Sequence, residues 1–181
     1  MSGSFFPMIA RMRYINRWGL MRNTDVENIQ EHSHMVAVLA HALAVIQNRY
    51  FGPQIDPGQA AVAALYHDAS EILTGDMPTP IKYDNPAIQQ AYKQVESVAE
   101  EKLLSMLPDD LREEFRPAIT IPDENIRAVV KAADKLSSVW RRSKAAIWNS
   151  RKPKNRPMPP CAGTPSPPCN ISWITFWRAF L

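Results

Sequence analysis

The chain has 181 residues, of which 45% are hydrophobic, enough for one domain with a sizeable buried core. It has no apolar run of about 18 residues and no N-terminal apolar segment typical of a signal peptide, so we expect a cytoplasmic protein. The net charge of +3 is unevenly distributed: all 18 acidic residues lie at or before Asp134, and residues 135–181 contain nine basic residues. The net charge alone is therefore no reason to expect a nucleic-acid partner.

Apolar spacing and helix punctuation predict an all-α fold, a helical bundle with one core in residues 1–138. The pair Asn85-Pro86 is typical of a helix start, and Pro108 follows the end of the same apolar pattern. The expected helices run from about Phe5 to Leu20, Glu31 to Tyr50, Pro57 to Leu73, Pro86 to Leu107, and Glu124 to Ser138.

All four histidines of the chain lie between positions 32 and 67. At about 100° per residue, His32 falls within the apolar arc of the second predicted helix, whereas His34 and His41 fall roughly opposite it. We therefore expect His32 to face the core and the other two to face solvent.

The dipeptide His67-Asp68 lies in the third predicted helix, and Asp134 lies among apolar residues in the fifth. A buried carboxylate without a partner is costly, so a cation near Asp134 is a natural explanation, although Lys131 or Lys135 could supply it. Imidazole and carboxylate donors suit first-row metals such as cobalt, manganese, iron, nickel or zinc. Together with His32, these side chains could hold one divalent metal between helices.

Further acidic side chains follow the His-Asp dipeptide. Glu71 lies one helical turn after His67, where it could hydrogen-bond to the imidazole or take a proton from water. Two prolines stiffen the next loop, which can present Asp76 and Thr79 rigidly.

Several sequence blocks occur in a defined order along the chain. They are Ile15-Asn16-Arg17-Trp18 with Leu20-Met21-Arg22-Asn23, Glu27-Asn28 with Glu31-His32-Ser33, Tyr66-His67-Asp68-Ala69-Ser70-Glu71, Leu73-Thr74-Gly75-Asp76 with Pro78-Thr79-Pro80, and Lys131-Ala132-Ala133-Asp134. In composition and order they closely resemble the bacterial 5′-deoxynucleotidases of the HD-domain phosphohydrolase superfamily. The resemblance covers about residues 5–138.

This resemblance implies an all-helical, metal-dependent and commonly dimeric enzyme that hydrolyses deoxyribonucleoside 5′-monophosphates to the deoxynucleoside and phosphate. It implies one divalent transition metal, such as cobalt or manganese, and neither polymeric nucleic acid nor membrane as a partner. The implied metal ligands are His32, His67, Asp68 and Asp134. The implied catalytic residues are Glu71 and Asp76, and the implied substrate-binding residues are Arg17, Trp18, His32, Asp76, Thr79 and Asp134.

Two of these residues, Arg17 and Trp18, could instead have ordinary structural roles. The planar guanidinium of Arg17 suits phosphate oxygens, but an arginine taken alone is more often part of a surface salt bridge. Trp18 could exclude a ribose 2′-hydroxyl by filling its space, or it could be an ordinary core tryptophan beside Ile15.

Residues 139–181 differ from the rest of the chain. Seven of the 16 prolines lie between Pro153 and Pro168, and four of the five tryptophans follow position 139. We predict that residues 139–181 form a tail outside the family domain, irregular from Asn149 to Asn170 and most simply explained by a shifted reading frame. Binding to single-stranded nucleic acid or to a membrane surface is an alternative for it. Loss of the family's C-terminal helices would weaken the support of Asp134 and impair activity.

Three functions are consistent with these patterns. The first is a 5′-deoxynucleotidase, the second an HD phosphohydrolase acting on a triphosphate or signalling nucleotide, and the third an inactive nucleotide- or metal-binding protein. The blocks around Arg17-Trp18 and Asp76-Thr79 favour the first over the second.

Overall fold

The computed structural model describes residues 4–19, 26–52, 54–78, 82 and 85–150, with side chains described up to residue 141. Apart from one isolated antiparallel pairing of Asn16 with Asn28, the regular structure of these residues is helical, and the predicted all-α class is confirmed. The elements are α1 (Phe5–Ile9), a 3-10 helix (Ala10–Tyr14), α2 (Ile29–Tyr50), α3 (Pro57–Tyr66), α4 (Glu71–Thr74), α5 (Pro86–Leu104), α6 (Asp109–Thr120) and α7 (Glu124–Ser150). No helix in the described ranges is long and apolar enough to cross a bilayer.

The predicted N-terminal helix to Leu20 is wrong in its second half. The helical segment ends before Ile15, where the backbone becomes extended. The N–H of Arg17 donates to the carbonyl of Glu27 at 2.8 Å, and the N–H of Ile29 donates to the carbonyl of Ile15 at 3.0 Å. A helix would use these backbone groups internally, so the antiparallel pairing replaces it. The pairing ties Arg17 to the start of α2.

The predicted helix from Pro57 to Leu73 is broken at its His-Asp dipeptide, where a turn separates α3 from α4. The ring Nδ1 of His67 donates to the carbonyl of Ala64 at 2.7 Å. In a continuous α-helix that carbonyl would accept from the N–H of Asp68. The side-chain hydrogen bond therefore competes with helix continuation and favours a turn at this point.

Two clusters of buried apolar side chains pack the N-terminal segment against the rest of the fold. The larger one contains Phe5, Ala69, Leu103, Leu104, Leu107 and Ile119, and the smaller one contains Met12, Ile29 and Ile72. Because Ala69 lies in the turn between α3 and α4 and Ile72 lies in α4, both clusters hold the turn that carries the His-Asp dipeptide.

Helix α6 was not predicted from the sequence. Its mean composition is polar and Pro117 lies inside it, although Leu111, Phe115 and Ile119 recur at the spacing of an amphipathic helix. Asp109 and Asp110 in its first turn interact favourably with the positive end of the helix dipole, and Ile119 is buried in the larger cluster. Tertiary packing of its apolar residues stabilises this helix.

Helix α7 carries Asp134 and continues to Ser150, beyond the predicted end near Ser138. Of the predicted irregular segment Asn149 to Asn170, the structure describes the first two residues, and they belong to this helix. No proline occurs between Asp134 and Pro153, so nothing in the sequence interrupts the helix there. Residues 151–181, with most of the predicted irregular segment, lie outside the described residues. Contacts divide the chain into the units Met1–Ser137 and Ser138–Leu181. The predicted family domain with a separate tail stays a prediction.

Candidate metal centre

The centre is built from α2 and from the turn after α3. His32 is 1% exposed, as its place on the apolar arc predicted, and the expected surface residues His34 and His41 are exposed. A ring nitrogen of His32, one of His67 and a carboxylate oxygen of Asp68 all lie within 4.8 Å of one another. Oδ2 of Asp68 is 3.3 Å from Nε2 of His67 and 3.6 Å from Nε2 of His32. Two imidazoles and a carboxylate thus face one point.

Asp134 on α7 approaches this group through His32. Its Oδ1 lies 3.0 Å from Nε2 of His32. Burial acts to raise the pKa of Asp134, but the contact with His32 and the charges nearby lower the pKa below its ordinary value, so the carboxylate is ionised. The alternative partners Lys131 and Lys135 are both exposed. All four predicted ligands are therefore brought to one region from three parts of the sequence.

Several buried nitrogen and oxygen atoms of the centre make no regular hydrogen bond and are suitable ligands for a cation. The carbonyl of Ala64 can only accept, so Nδ1 of His67 carries a ring proton, and Nε2 is the nitrogen whose lone pair the neutral ring offers to a cation. Within the described residues, Nε2 of His32, Nε2 of His67 and Oδ1 of Asp134 are buried without a hydrogen bond of normal geometry. Buried polar atoms are normally paired, and metal-binding histidines normally donate their other ring nitrogen to a carbonyl or carboxylate. The donor set fits a divalent metal.

Arg17 lies inside the centre rather than in a surface salt bridge. Its Nη1 donates to Oδ2 of Asp68 at 2.7 Å, and its Nη2 is 3.8 Å from Oδ1 of Asp134. On the other edge of the guanidinium, Nε lies 3.8 Å from a carboxylate oxygen of Glu27. The side chain of Arg17 is 12% exposed. Glu27, which sequence reasoning assigned no role, thus contributes a third carboxylate around one arginine.

Trp18 has a backbone conformation that is unusual for a bulky residue. Its φ of 61° lies in the left-handed region. Its backbone N–H donates to Oδ2 of Asp76 at 3.0 Å. The Trp18 side chain is half-buried, so the core-tryptophan alternative is not supported. Asp76 supports the backbone at Trp18, and strained backbone held in this way is typical of functional sites.

Glu71 is buried at the first turn of α4, with 7% of its surface exposed. Burial, followed by the charges of Asp68 and Asp76, raises the pKa of Glu71 to about 9. Its Oε2 has no hydrogen-bond partner among the described residues. A carboxyl in this setting holds a proton at neutral pH and is a candidate for proton transfer. Thr79, the remaining predicted site residue, lies outside the described residues.

Two residues near Glu71 were not recognised from the sequence. Lys82 pairs with Glu96 at 2.7 Å, and its Nζ lies 4.5 Å from the centre of the Tyr92 ring. Burial raises the pKa of Tyr92, whose ring is 5% exposed. Lys82 and Tyr92 are distant in sequence from the His-Asp dipeptide, so no spacing relative to it pointed to a place near the centre.

A helical bundle with a His-Asp dipeptide after one helix, and a histidine and an aspartate on two others, has the architecture of the HD-domain phosphohydrolases. An HD-domain phosphohydrolase from Listeria innocua has the same fold, with a TM-score of 0.69 at 19% identity, covering 83% of this chain and 72% of that one. A cyanophage S-2L HD phosphohydrolase, bound to dA and one catalytic Zn²⁺ ion, has a TM-score of 0.56 at 26% identity, covering 77% and 70%.

The family model described as 5′-deoxynucleotidase YfbR-like matches residues 4–144. The 5′-deoxynucleotidase of Vibrio cholerae serotype O1 is 54% identical over 136 residues, covering 73% of this chain and 69% of the relative. The 5′-deoxynucleotidase YfbR of Salmonella paratyphi B is 53% identical over 137 residues, covering 73% and 67%. The chain belongs to the YfbR-like 5′-deoxynucleotidase family. The match reaches past Ser138, where the sequence resemblance was expected to end.

The contact between Asp76 and the backbone of Trp18 can be tested with two variants that both remove the charge. Asp76→Ala removes the acceptor as well and should lower the free energy of unfolding by about 1–2 kcal/mol, because a part-buried N–H loses its partner. Asp76→Asn keeps an acceptor oxygen and should lose clearly less. Urea denaturation measures both values, and equal losses would contradict the assigned contact.

Proposed function

We propose that this chain is a metal-dependent phosphomonoesterase that hydrolyses deoxyribonucleoside 5′-monophosphates to the deoxynucleoside and inorganic phosphate. The observation that carries the proposal is the convergence of two imidazoles and a carboxylate from His32, His67 and Asp68. A second carboxylate, from Asp134, lies 3.0 Å from His32. Relatives more than half identical to the matched part of this chain are named 5′-deoxynucleotidases, which supports the same substrate class here.

His32, His67, Asp68 and Asp134 are the proposed ligands of one divalent ion. When bound, such an ion lowers the pKa of water and polarises a phosphoryl oxygen. The zinc ion named in the cyanophage enzyme supports a divalent metal at this site. Four protein ligands leave room for water and substrate only if the ion accepts more than four donors, so we propose an ion such as cobalt or manganese.

Arg17 and Trp18 are the proposed substrate-binding residues on the N-terminal side of the centre. The guanidinium of Arg17 can bind two phosphate oxygens in parallel, which positions the phosphoryl group beside the ligand cluster. Trp18 follows Arg17 in the chain, and its ring would lie against the deoxyribose. Asp76 and Thr79, in the loop after α4, are proposed to contact the substrate. His32 and Asp134 are proposed to contact it as well.

Glu71 is the proposed proton-transfer group. It is buried, its pKa is raised, and it follows the ligands His67 and Asp68 directly in the chain. A carboxyl of this kind can orient the attacking water and pass a proton towards the leaving 5′ oxygen, a contribution of about 10²- to 10⁴-fold. Asp76 assists by holding the backbone at Trp18 and by keeping the pKa of Glu71 high.

We further propose that the chain acts in the cytoplasm as a homodimer, on single nucleotides rather than on nucleic-acid polymers or membranes. Exposed apolar side chains at Met35, Val38 and Val45 on α2 support a contact between copies. Residues 139–181 as a tail outside the family domain, and an activity impaired by that tail, stay predictions.

The proposed activity predicts phosphate release from deoxyribonucleoside 5′-monophosphates in the presence of cobalt or manganese, and its loss in a chelator. His67→Ala should reduce kcat/KM by about 100-fold or more, since it removes a ligand and unpairs its neighbours. Glu114→Ala, at an exposed position on α6, is the control and should leave kcat/KM unchanged. Full activity in the chelator, or in His67→Ala, would contradict the proposal.

Steric selection by Trp18 predicts a change in sugar preference. Trp18→Ala opens space for a 2′-hydroxyl and should lower the ratio of kcat/KM for dAMP over AMP by about 10-fold. Tyr14→Ala, at a side chain that is 73% exposed nearby in the sequence, should leave the ratio unchanged. An unaltered ratio in Trp18→Ala would show that the ring does not select the sugar.

A further inference from the structure

We propose that Arg17 is an internal counter-cation of the metal ligands, which competes with the divalent ion for Asp68 and so sets the metal affinity of the centre. The inference rests on the proposed function, because it concerns the same ligands. It assigns Arg17 a second role besides phosphate binding, with a measurable effect on metal binding alone.

The competition follows from the position of one oxygen atom. Oδ2 of Asp68 accepts from Nη1 of Arg17 at 2.7 Å, and the same oxygen faces Nε2 of both His32 and His67 at 3.6 and 3.3 Å. It is therefore both the acceptor for Arg17 and a carboxylate atom that faces both imidazoles. An ion placed between the imidazoles and this carboxylate must share or displace the guanidinium.

Charge makes the competition strong. The guanidinium is always protonated in a protein, and it lies within 4 Å of the carboxylates of both Asp68 and Asp134. With 12% of its side chain exposed, Arg17 is screened less by water and salt than a surface arginine would be. It neutralises the two aspartates, and it repels any second cation that approaches them.

The backbone of Arg17 is fixed while its side chain has an alternative partner. The N–H of Arg17 is bonded to the carbonyl of Glu27, and Asn16 pairs with Asn28 beside it. The carboxylate of Glu27 lies 3.8 Å from Nε, on the edge away from Asp68. The guanidinium can therefore leave Asp68 for a phosphate without movement of the loop. By linkage, an anion that draws Arg17 away favours metal binding, and the metal favours the anion equally.

The test is calorimetric titration of the full chain with Mn²⁺ at low ionic strength, without substrate. Arg17→Gln removes the competing charge and should bind Mn²⁺ about 10-fold or more tightly than the unaltered chain. Arg17→Lys keeps a cation and should bind less tightly than Arg17→Gln. Arg11→Gln removes one exposed arginine of the same N-terminal segment and should change the affinity by less than about 2-fold.

A second readout is the melting temperature in chelator. Arg17→Gln leaves two neighbouring carboxylates without their guanidinium partner, so its Tm should fall by about 4 °C or more, and saturating Mn²⁺ should restore it. Mn²⁺ affinity in Arg17→Gln equal to or weaker than in the unaltered chain would overturn the inference alone, as would equal tightening in Arg17→Lys. If the unaltered chain and all variants fail to bind Mn²⁺, the proposed function is overturned with it.

Discussion

The structure depends on the neutralisation of a dense group of acidic side chains. Asp68 and Asp134 both approach Nε2 of His32, and burial together with the charges of Asp68 and Asp76 raises the pKa of Glu71 to about 9. Like charges held together in a partly buried place are unstable unless a cation compensates them. Arg17 supplies one positive charge within the chain, and a divalent ion is the proposed second.

The backbone around this group is shaped by the same requirement. The hydrogen bond from His67 to Ala64 ends α3 and leaves the opposite ring nitrogen with a lone pair. Departure from regular helix at the dipeptide thus prepares the imidazole as a ligand. The antiparallel pairing at Asn16 has a corresponding effect on the N-terminal side, since it ends the first helical segment and turns Arg17 towards Asp68. In both places the sequence pattern predicts a continuous helix, but the backbone departs from it where the side chains of the centre are positioned.

The sequence predicted the fold class and the burial of His32, because the apolar period of a helix is a local property. It failed where tertiary contacts decide, as at the break after α3, which depends on one side-chain hydrogen bond. Helix α6 was missed although Leu111, Phe115 and Ile119 recur at helical spacing, because its polar composition and internal Pro117 argue against a helix. The pairing of Arg17 with Asp68 spans 51 positions, and no spacing rule within one segment indicates it. The sequence blocks shared with the family include both Arg17 and Asp68, but they do not show that the two side chains are in contact.

The central claim is that His32, His67, Asp68 and Asp134 bind a single divalent ion. The most direct test is a crystal structure of the chain grown with Co²⁺ or Mn²⁺, with anomalous difference maps to locate the ion. The account predicts one peak per chain, within about 2.0–2.3 Å of Nε2 of both histidines and of an oxygen from each aspartate. A fully occupied ion bound elsewhere, or an ion that leaves His32 or Asp134 outside its coordination sphere, would contradict the account.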